Sequence, residues 1–249
     1  MNDLPRSDPL AAVSPLDGRY AGRTEPLVPY ASEAALMRAR LRVEVEYLIA
    51  LADLDATPLL LSDADRDDLR GILEGFGVDD ARLIKRLETE GTAEYAATNH
   101  DVKAVEYFLR TRTDDRLHPW IHFGLTSEDV NNLAHRLLVG PAVETVLLPA
   151  LAAVRDELVD LAHDHRDTPM LARTHGQPAT PTTFGKECAV YAARLGRAVG
   201  DLERAVDSLA GKLGGASGTY AAHHAAYPEV DWPSFARGFV TGLGLEHEP

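Results

Sequence analysis

The chain has 249 residues, 45% of them apolar, which is enough to bury a substantial core and argues against a disordered polymer. Its formal net charge of -14 argues against a nonspecific hold on nucleic acid phosphates or an anionic membrane, since both need a cationic surface. The single cysteine, Cys188, can neither close an intrachain disulfide nor build a zinc or iron–sulfur site, so a reducing, cytoplasmic setting is expected.

The opening MNDLPRSDPLAAV lacks the basic start and continuous apolar run of a signal peptide, and no 18 uncharged apolar residues follow one another anywhere. A soluble protein without a membrane partner is expected. Residues 1–30 carry Pro5, Pro9, Pro15, Pro26 and Pro29 and are expected to form an irregular arm. Helical patterning begins after Ser32, where Leu41, Val45, Leu48 and Ile49 paint one face. Ser62 and Asp65 form a capping box ahead of Leu69, Ile72, Leu73 and Phe76, and a turn follows near Gly75 and Gly77. Asn99 or Thr98 can cap a helix carrying Val102, Val105 and Leu109. Thr126 or Ser127 can cap one carrying Val130, Leu133 and Leu137. A third helix is predicted through Leu151, Val154, Leu158 and Leu161, with little strand anywhere.

From Phe184 through Cys188, Tyr191, Leu195, Val199, Leu202 and Val206 to Leu209, apolar residues recur at an average spacing of about 3.6, the period of an α-helix. At about 1.5 Å per residue this one helix would span roughly 40 Å, a length suited to lengthwise packing in a bundle, with other subunits as candidate neighbours. The segment GKLGGASGTY (211–220) reads as a flexible glycine-rich stop, and PEVDWPSFARGFVTGLG as a shorter helical segment. The abrupt end at Pro249 reads as a cut.

Four strings carry candidate chemistry. ARTHGQPATPTTFGKE (172–187) sets His175 in a polar turn feeding the long helix; an imidazole there can protonate a leaving group near neutral pH. In NHDVKAVEYFL (99–109), read alone, Asn99 caps a helix and His100 is a surface residue. TSEDVNN (126–132) places Thr126 and Ser127 at a helix N-terminus, where free N–H groups suit an anion, although an ordinary cap needs nothing more; Asn132 can also face the cleft. SPLDGRY (14–20) offers Arg19 and Tyr20, and arginine suits bidentate phosphate binding. His163 with His165, and His223 with His224, lack the company of a metal site and are expected at the surface. GKLGGASGTY matches no phosphate-cradling motif, and Cys188 lies on the apolar stripe of the long helix, where packing is its expected role.

Taken together, these four strings resemble adenylosuccinate lyases of the longer bacterial type, within the fumarase and aspartase superfamily, over most of residues 14–249. The resemblance implies an all-α fold, with an N-terminal arm and helical domain over 1–121 and the first part of a long-helix bundle over 122–249. It implies that His175 is the catalytic acid, that His100 helps to orient substrate, and that Asn99 and Asp101 touch it. It further assigns Thr126 and Ser127 to a substrate carboxylate, Thr174 and Gln177 to substrate beside His175, and Arg19 and Tyr20 to the nucleotide phosphate. A purine nucleotide substrate, a homotetramer, and no metal or organic cofactor belong to the same expectation.

The superfamily base is a serine on a loop of S-S-x-M-P-x-K-x-N-P type. The methionines here are Met1, Met37 and Met170, none followed by proline, so that loop is absent. The chain therefore resembles the front portion of such an enzyme and is expected to be inactive alone. Another superfamily lyase, such as argininosuccinate lyase, shares the bundle and something like TSEDVNN, but SPLDGRY and NHDVKAVEYFL favour the purine enzyme. A non-catalytic helical assembly module, in which the polar turns serve only as caps, remains the reading from a different class.

Overall fold

A computed structural model describes residues 9–249; Pro5 and the rest of the opening segment lie outside the described residues. The arm is more regular than its prolines suggest. Single turns follow one another in α1 (Ala21–Thr24), a 3-10 turn (Glu25–Leu27) and α2 (Val28–Ala31), because Pro26 and Pro29 sit at first-turn positions, where a missing N–H costs nothing. Ser32 then accepts from the Ala35 N–H and starts α3 (Glu33–Ala52).

Helix α3 is buried on more than the one face its apolar period indicates. Leu41, Val43, Val45, Tyr47, Leu48 and Leu51 are fully buried, and so is the charged Glu44, with Arg40 nearly so. Around it pack α4 (Asp63–Glu74), opened by the Ser62/Asp65 capping box, α5 (Val78–Thr89) and α6 (Asp101–Thr111). Leu69, Ile84, Leu87, Val105 and Phe108 deliver the apolar sides of these helices to one core.

Helix α7 (Ser127–Ala142) runs through a π-helical turn (Val143–Leu147) into α8 (Leu148–Asp164). The stretch Ser127–Asp164 is long and apolar enough to cross a membrane by length and composition, and 11% of its most apolar window is buried. A helix whose apolar side meets other chains has the same character.

Two strands follow, β1 (Pro169–Thr174) and β2 (Gln177–Thr183), paired antiparallel with Thr174 opposite Gln177 and an irregularity between Leu171 and Arg173. The 172–187 string is thus a hairpin leading into a helix, where the sequence suggested only a turn. Pro178 and Pro181 are tolerated because a two-stranded ribbon has free edges. Thr183 accepts from the Lys186 N–H to begin α9 (Phe184–Asp207), the long helix, which stops two residues short of Leu209. Cys188, Ala192 and Val199 are buried, whereas Tyr191 on the expected stripe is 58% exposed.

The chain ends through β3 (Ala210–Gly211), α10 (Ala221–Ala226), α11 (Trp232–Gly242) and β4 (Glu246–His247), the last pairing parallel with β3. Two compact units result. One comprises residues up to Val139 together with Ala210–Pro249, and the other Gly140–Leu209. The boundary expected at 121/122 falls inside the first unit.

Candidate active site

In the first unit, the starts of α6 and α7 come together. His100 is the N-cap of α6, in place of the expected Asn99 or Thr98: its Nδ1 accepts from the Lys103 N–H at 3.2 Å. Asn99 instead occupies the left-handed region at φ 47°, and Thr98 braces the turn by accepting from the His100 N–H. An Nδ1 that accepts carries no proton, so the neutral ring is protonated on Nε2, which faces Ser127 Oγ at 3.3 Å. His100 remains half exposed and open to a ligand.

Asp101, the first residue of α6, accepts from the Val102 N–H and from Arg40 Nη2 at 2.6 Å. Burial alone would push its carboxyl up, but the Val102 N–H and the Arg40 guanidinium outweigh burial and hold it below the usual carboxylate range. Arg40 Nε also donates to Asn131 Oδ1 at 2.8 Å.

The TSEDVNN segment is anchored from below by Asp129. This fully buried carboxylate accepts from the Thr126, Gly214 and Gly215 N–H groups and from Lys212 Nζ, at 2.9 to 3.1 Å. The glycine-rich segment expected to be flexible is therefore pinned at 212–215, and Leu213, Gly214 and Gly215 are buried. Asn132 does not face a cleft. It is buried, its amide donates to the Glu128, Asp129 and Lys212 carbonyls, and its carbonyl accepts from the Lys212 N–H.

Beside this cluster lies a buried ionisable group that patterning did not reveal. His122 Nδ1 is 2.6 Å from Glu44 Oε1, and its Nε2 is 3.8 Å from Glu106, which also binds Lys103 Nζ. Burial pushes the Glu44 carboxyl up, against the opposing pull of His122. Burial alone would push His122 down, but its bond to Glu44 and the two nearby carboxylates raise it above its ordinary value. His223, expected at the surface, is fully buried instead, because the Tyr47 hydroxyl, which donates to the Phe123 carbonyl, accepts from His223 Nε2 at 2.9 Å. Burial holds its imidazole below the usual range, hence neutral. His224 and His163 are exposed, and half-buried His165 pairs with Thr168.

In the second unit, His175 sits at the tip of the β1–β2 hairpin. His175 and Gly176 take φ values of 50° and 73°, the pair of left-handed conformations that a two-residue hairpin turn requires. Thr174, His175 and Gln177 are thus gathered on one exposed tip. Arg19 and Tyr20 form a third group: the Arg19 and Arg23 guanidinium carbons lie 5.5 and 5.8 Å from the Tyr20 ring centre, a local cationic cluster. Among the described residues this cluster makes no hydrogen bond or ion pair to His100 or Ser127, and no group of three His, Cys, Asp or Glu is gathered for a metal ion.

A family profile described as Lyase matches residues 18–249. The chain belongs to this lyase family. Among curated relatives, the adenylosuccinate lyase of Escherichia coli strain K12 is 44% identical and that of Haemophilus influenzae 43% identical, each over 96% of this chain and 52% of the relative. The Legionella pneumophila strain Corby adenylosuccinate lyase is 43% identical over 95% of the chain and 51% of its own length. This lyase chain thus spans about half the length of the curated relatives it matches. Its fold matches that of a fumarate lyase from Mesorhizobium sp. BNC1, with a TM-score of 0.70 at 24% identity over 90% of this chain and 48% of that one. A β-carboxy-cis,cis-muconate cycloisomerase from Acinetobacter calcoaceticus sp. ADP1 gives a TM-score of 0.69 at 22% identity, over 90% of this chain and 49% of its own.

Proposed function

We propose that this lyase chain supplies the acid-bearing and much of the substrate-binding machinery of an adenylosuccinate lyase. The reaction is elimination of fumarate from adenylosuccinate to give AMP, and from the succinyl-carboxamide ribonucleotide earlier in purine synthesis. The observation that carries the proposal is the meeting of His100 and Ser127: two strings 27 residues apart, each resembling a substrate segment, present their polar ends to one another.

On this reading the substrate's succinyl carboxylate rests on Thr126 and Ser127 at the start of α7, where free N–H groups and the positive end of the helix favour an anion. His100, with its proton on Nε2, donates towards the substrate and orients it, and Asn99 and Asp101 line the same edge. A base removes the proton next to a carboxylate, and the resulting dianion is stabilised by these donors. His175 then protonates the departing nitrogen, in an anti elimination. Arg19 and Tyr20 hold the nucleotide phosphate.

The base lies outside these 249 residues, so the chain alone is inactive. Exposed Leu147, Val154, Val159 and Tyr191 support assembly into a homotetramer in which other subunits, rather than lipid, cover the long helices. The acidic balance and the single buried cysteine support a cytoplasmic location.

The test is fumarate release from adenylosuccinate, followed by absorbance, for this chain and for the chain joined to the second half of the E. coli relative, each with and without His175→Ala. Turnover only by the joined protein that keeps His175 supports the proposal. A joined protein that assembles but releases no fumarate favours the assembly-module reading instead.

A further inference from the structure

Arg40 belongs to none of the strings that resemble substrate segments, yet its side chain touches both helices of the candidate site. It projects from α3 with 8% of its side chain exposed, and its fork divides: Nη2 donates to Asp101 on α6 and Nε to Asn131 on α7. Asp101 is the residue after His100. Asn131 lies one helical turn beyond Ser127 on the same side of α7, since residues four apart stack on one face. A single planar group thus ties together the two elements whose ends present His100 Nε2 and Ser127 Oγ to each other.

We infer that Arg40 is a positioning residue, setting the register between α6 and α7 so that His100 keeps its Nε2–H directed at Ser127. The inference rests on the lyase reading only for its consequence in turnover. Lysine cannot do the same work, because an ammonium is a point donor on a flexible stem and does not span two acceptors on different helices in fixed directions.

The test reads the His100 ring itself. In the 249-residue chain labelled with 15N-histidine, long-range proton–nitrogen spectra report which ring nitrogen carries the proton. Arg40→Lys and Arg40→Gln are expected to shift the signals of His100 Nε2 and its proton as the contact with Ser127 loosens, while the Lys103 N–H on Nδ1 keeps the Nε2–H tautomer and buried His223 of the same unit keeps its signals. Asn131→Ala, which removes one arm of the fork and keeps the Arg40–Asp101 ion pair, is expected to shift His100 in the same direction by less; it decides the matter if the Arg40 variants do not fold. Unchanged His100 signals, or His100 and His223 moving together, would overturn the inference.

In the protein joined to a relative's second half, Arg40→Lys is expected to lower kcat/KM by up to about a hundredfold, the scale of a group misplaced by about 1 Å. If the joined wild type releases no fumarate while His100 responds to Arg40, the lyase reading fails and the positioning role stands. If it turns over and His100 does not respond, the positioning role fails alone.

Discussion

Ser127 Oγ and His100 Nε2 lie 3.3 Å apart, and the opposite nitrogen of the same ring caps helix α6 through the Lys103 N–H. One imidazole therefore closes a helix and presents a donor to the candidate substrate edge. These duties separate by substitution. Asparagine can cap a helix but cannot reach Ser127 as a ring does, so His100→Asn should keep its melting temperature within about 3 °C of wild type, whereas His100→Ala should lose about 1 kcal/mol. Both should lose fumarate release in the joined protein. If His100→Asn retained full turnover, the ring would matter only as a cap.

The Glu44–His122 pair carries a pH dependence whose sign is fixed by geometry. With its folded pKa raised by Glu44 and Glu106, His122 contributes stability that is fully present below its unfolded value, about 6.5, and is lost as pH rises through the higher folded value. Urea melts at pH 5.5 and 8.5 should therefore show the chain losing stability on the alkaline side. Glu44→Gln removes the anion nearest the ring and should cost roughly 3 kcal/mol at the lower pH, the scale for breaking a buried pair, while flattening the slope above pH 6.5. An unchanged slope in that variant would assign the dependence to other groups.

Asp129 joins the start of α7 to a segment 85 residues away, so its charge should govern order in both. Asp129→Asn keeps the shape but turns an –NH2 group towards an environment of donors, leaving at least one of them unpaired at a cost of about 3 kcal/mol. The same variant should expose 212–215 to proteolysis, with cleavage after Lys212 as the readout. Resistance to trypsin equal to wild type would show that the glycine segment is held by packing and not by the carboxylate.

Local rules are what the sequence makes legible. The Ser62/Asp65 box, the Leu41–Val45–Leu48 face and the Phe184–Val206 stripe each depend on neighbours within a few turns. The fold class and the family likeness follow from such runs. Arg40 and Glu44 were not legible, because periodicity assigns charged residues to the wet side, and their burial depends on partners 61, 91 and 78 residues distant. The β1–β2 hairpin was hidden by Pro178 and Pro181, which read as strand breakers, although His175-Gly176 between two exposed segments is a two-residue turn signal. His223 looked like half of a surface pair because nothing local announces the Tyr47 hydroxyl that receives it. The candidate site was therefore legible as segments, while the side chains that set those segments against each other were not.

Two glycines of α9 test the packing that places the His175 hairpin at the head of this helix. At Gly185 a Cβ would stand 2.4 Å from the Ala162 carbonyl oxygen and 2.6 Å from the Arg166 nitrogen, both backbone atoms that cannot swing aside. At Gly196 it would meet only Arg155 Cδ, at an ordinary 3.7 Å. Alanine improves helix propensity by about 1 kcal/mol in a helix interior, so propensity alone predicts that Gly196→Ala stabilises by about that much and Gly185→Ala, in the first turn, by less. Close approach reverses the sign at the first: Gly185→Ala should destabilise by roughly 2 kcal/mol net, as overpacking does, while Gly196→Ala should stabilise by up to about 1 kcal/mol. Thermal melts give the two signs, and amide exchange in α8 and α9 locates the loss. Since β2 leads directly into α9, Gly185→Ala should also loosen the hairpin, seen as faster amide exchange at the non-proline residues of β1 and β2. Stabilisation by both alanines would mean that the start of α9 does not pack against the end of α8 as closely as these distances require.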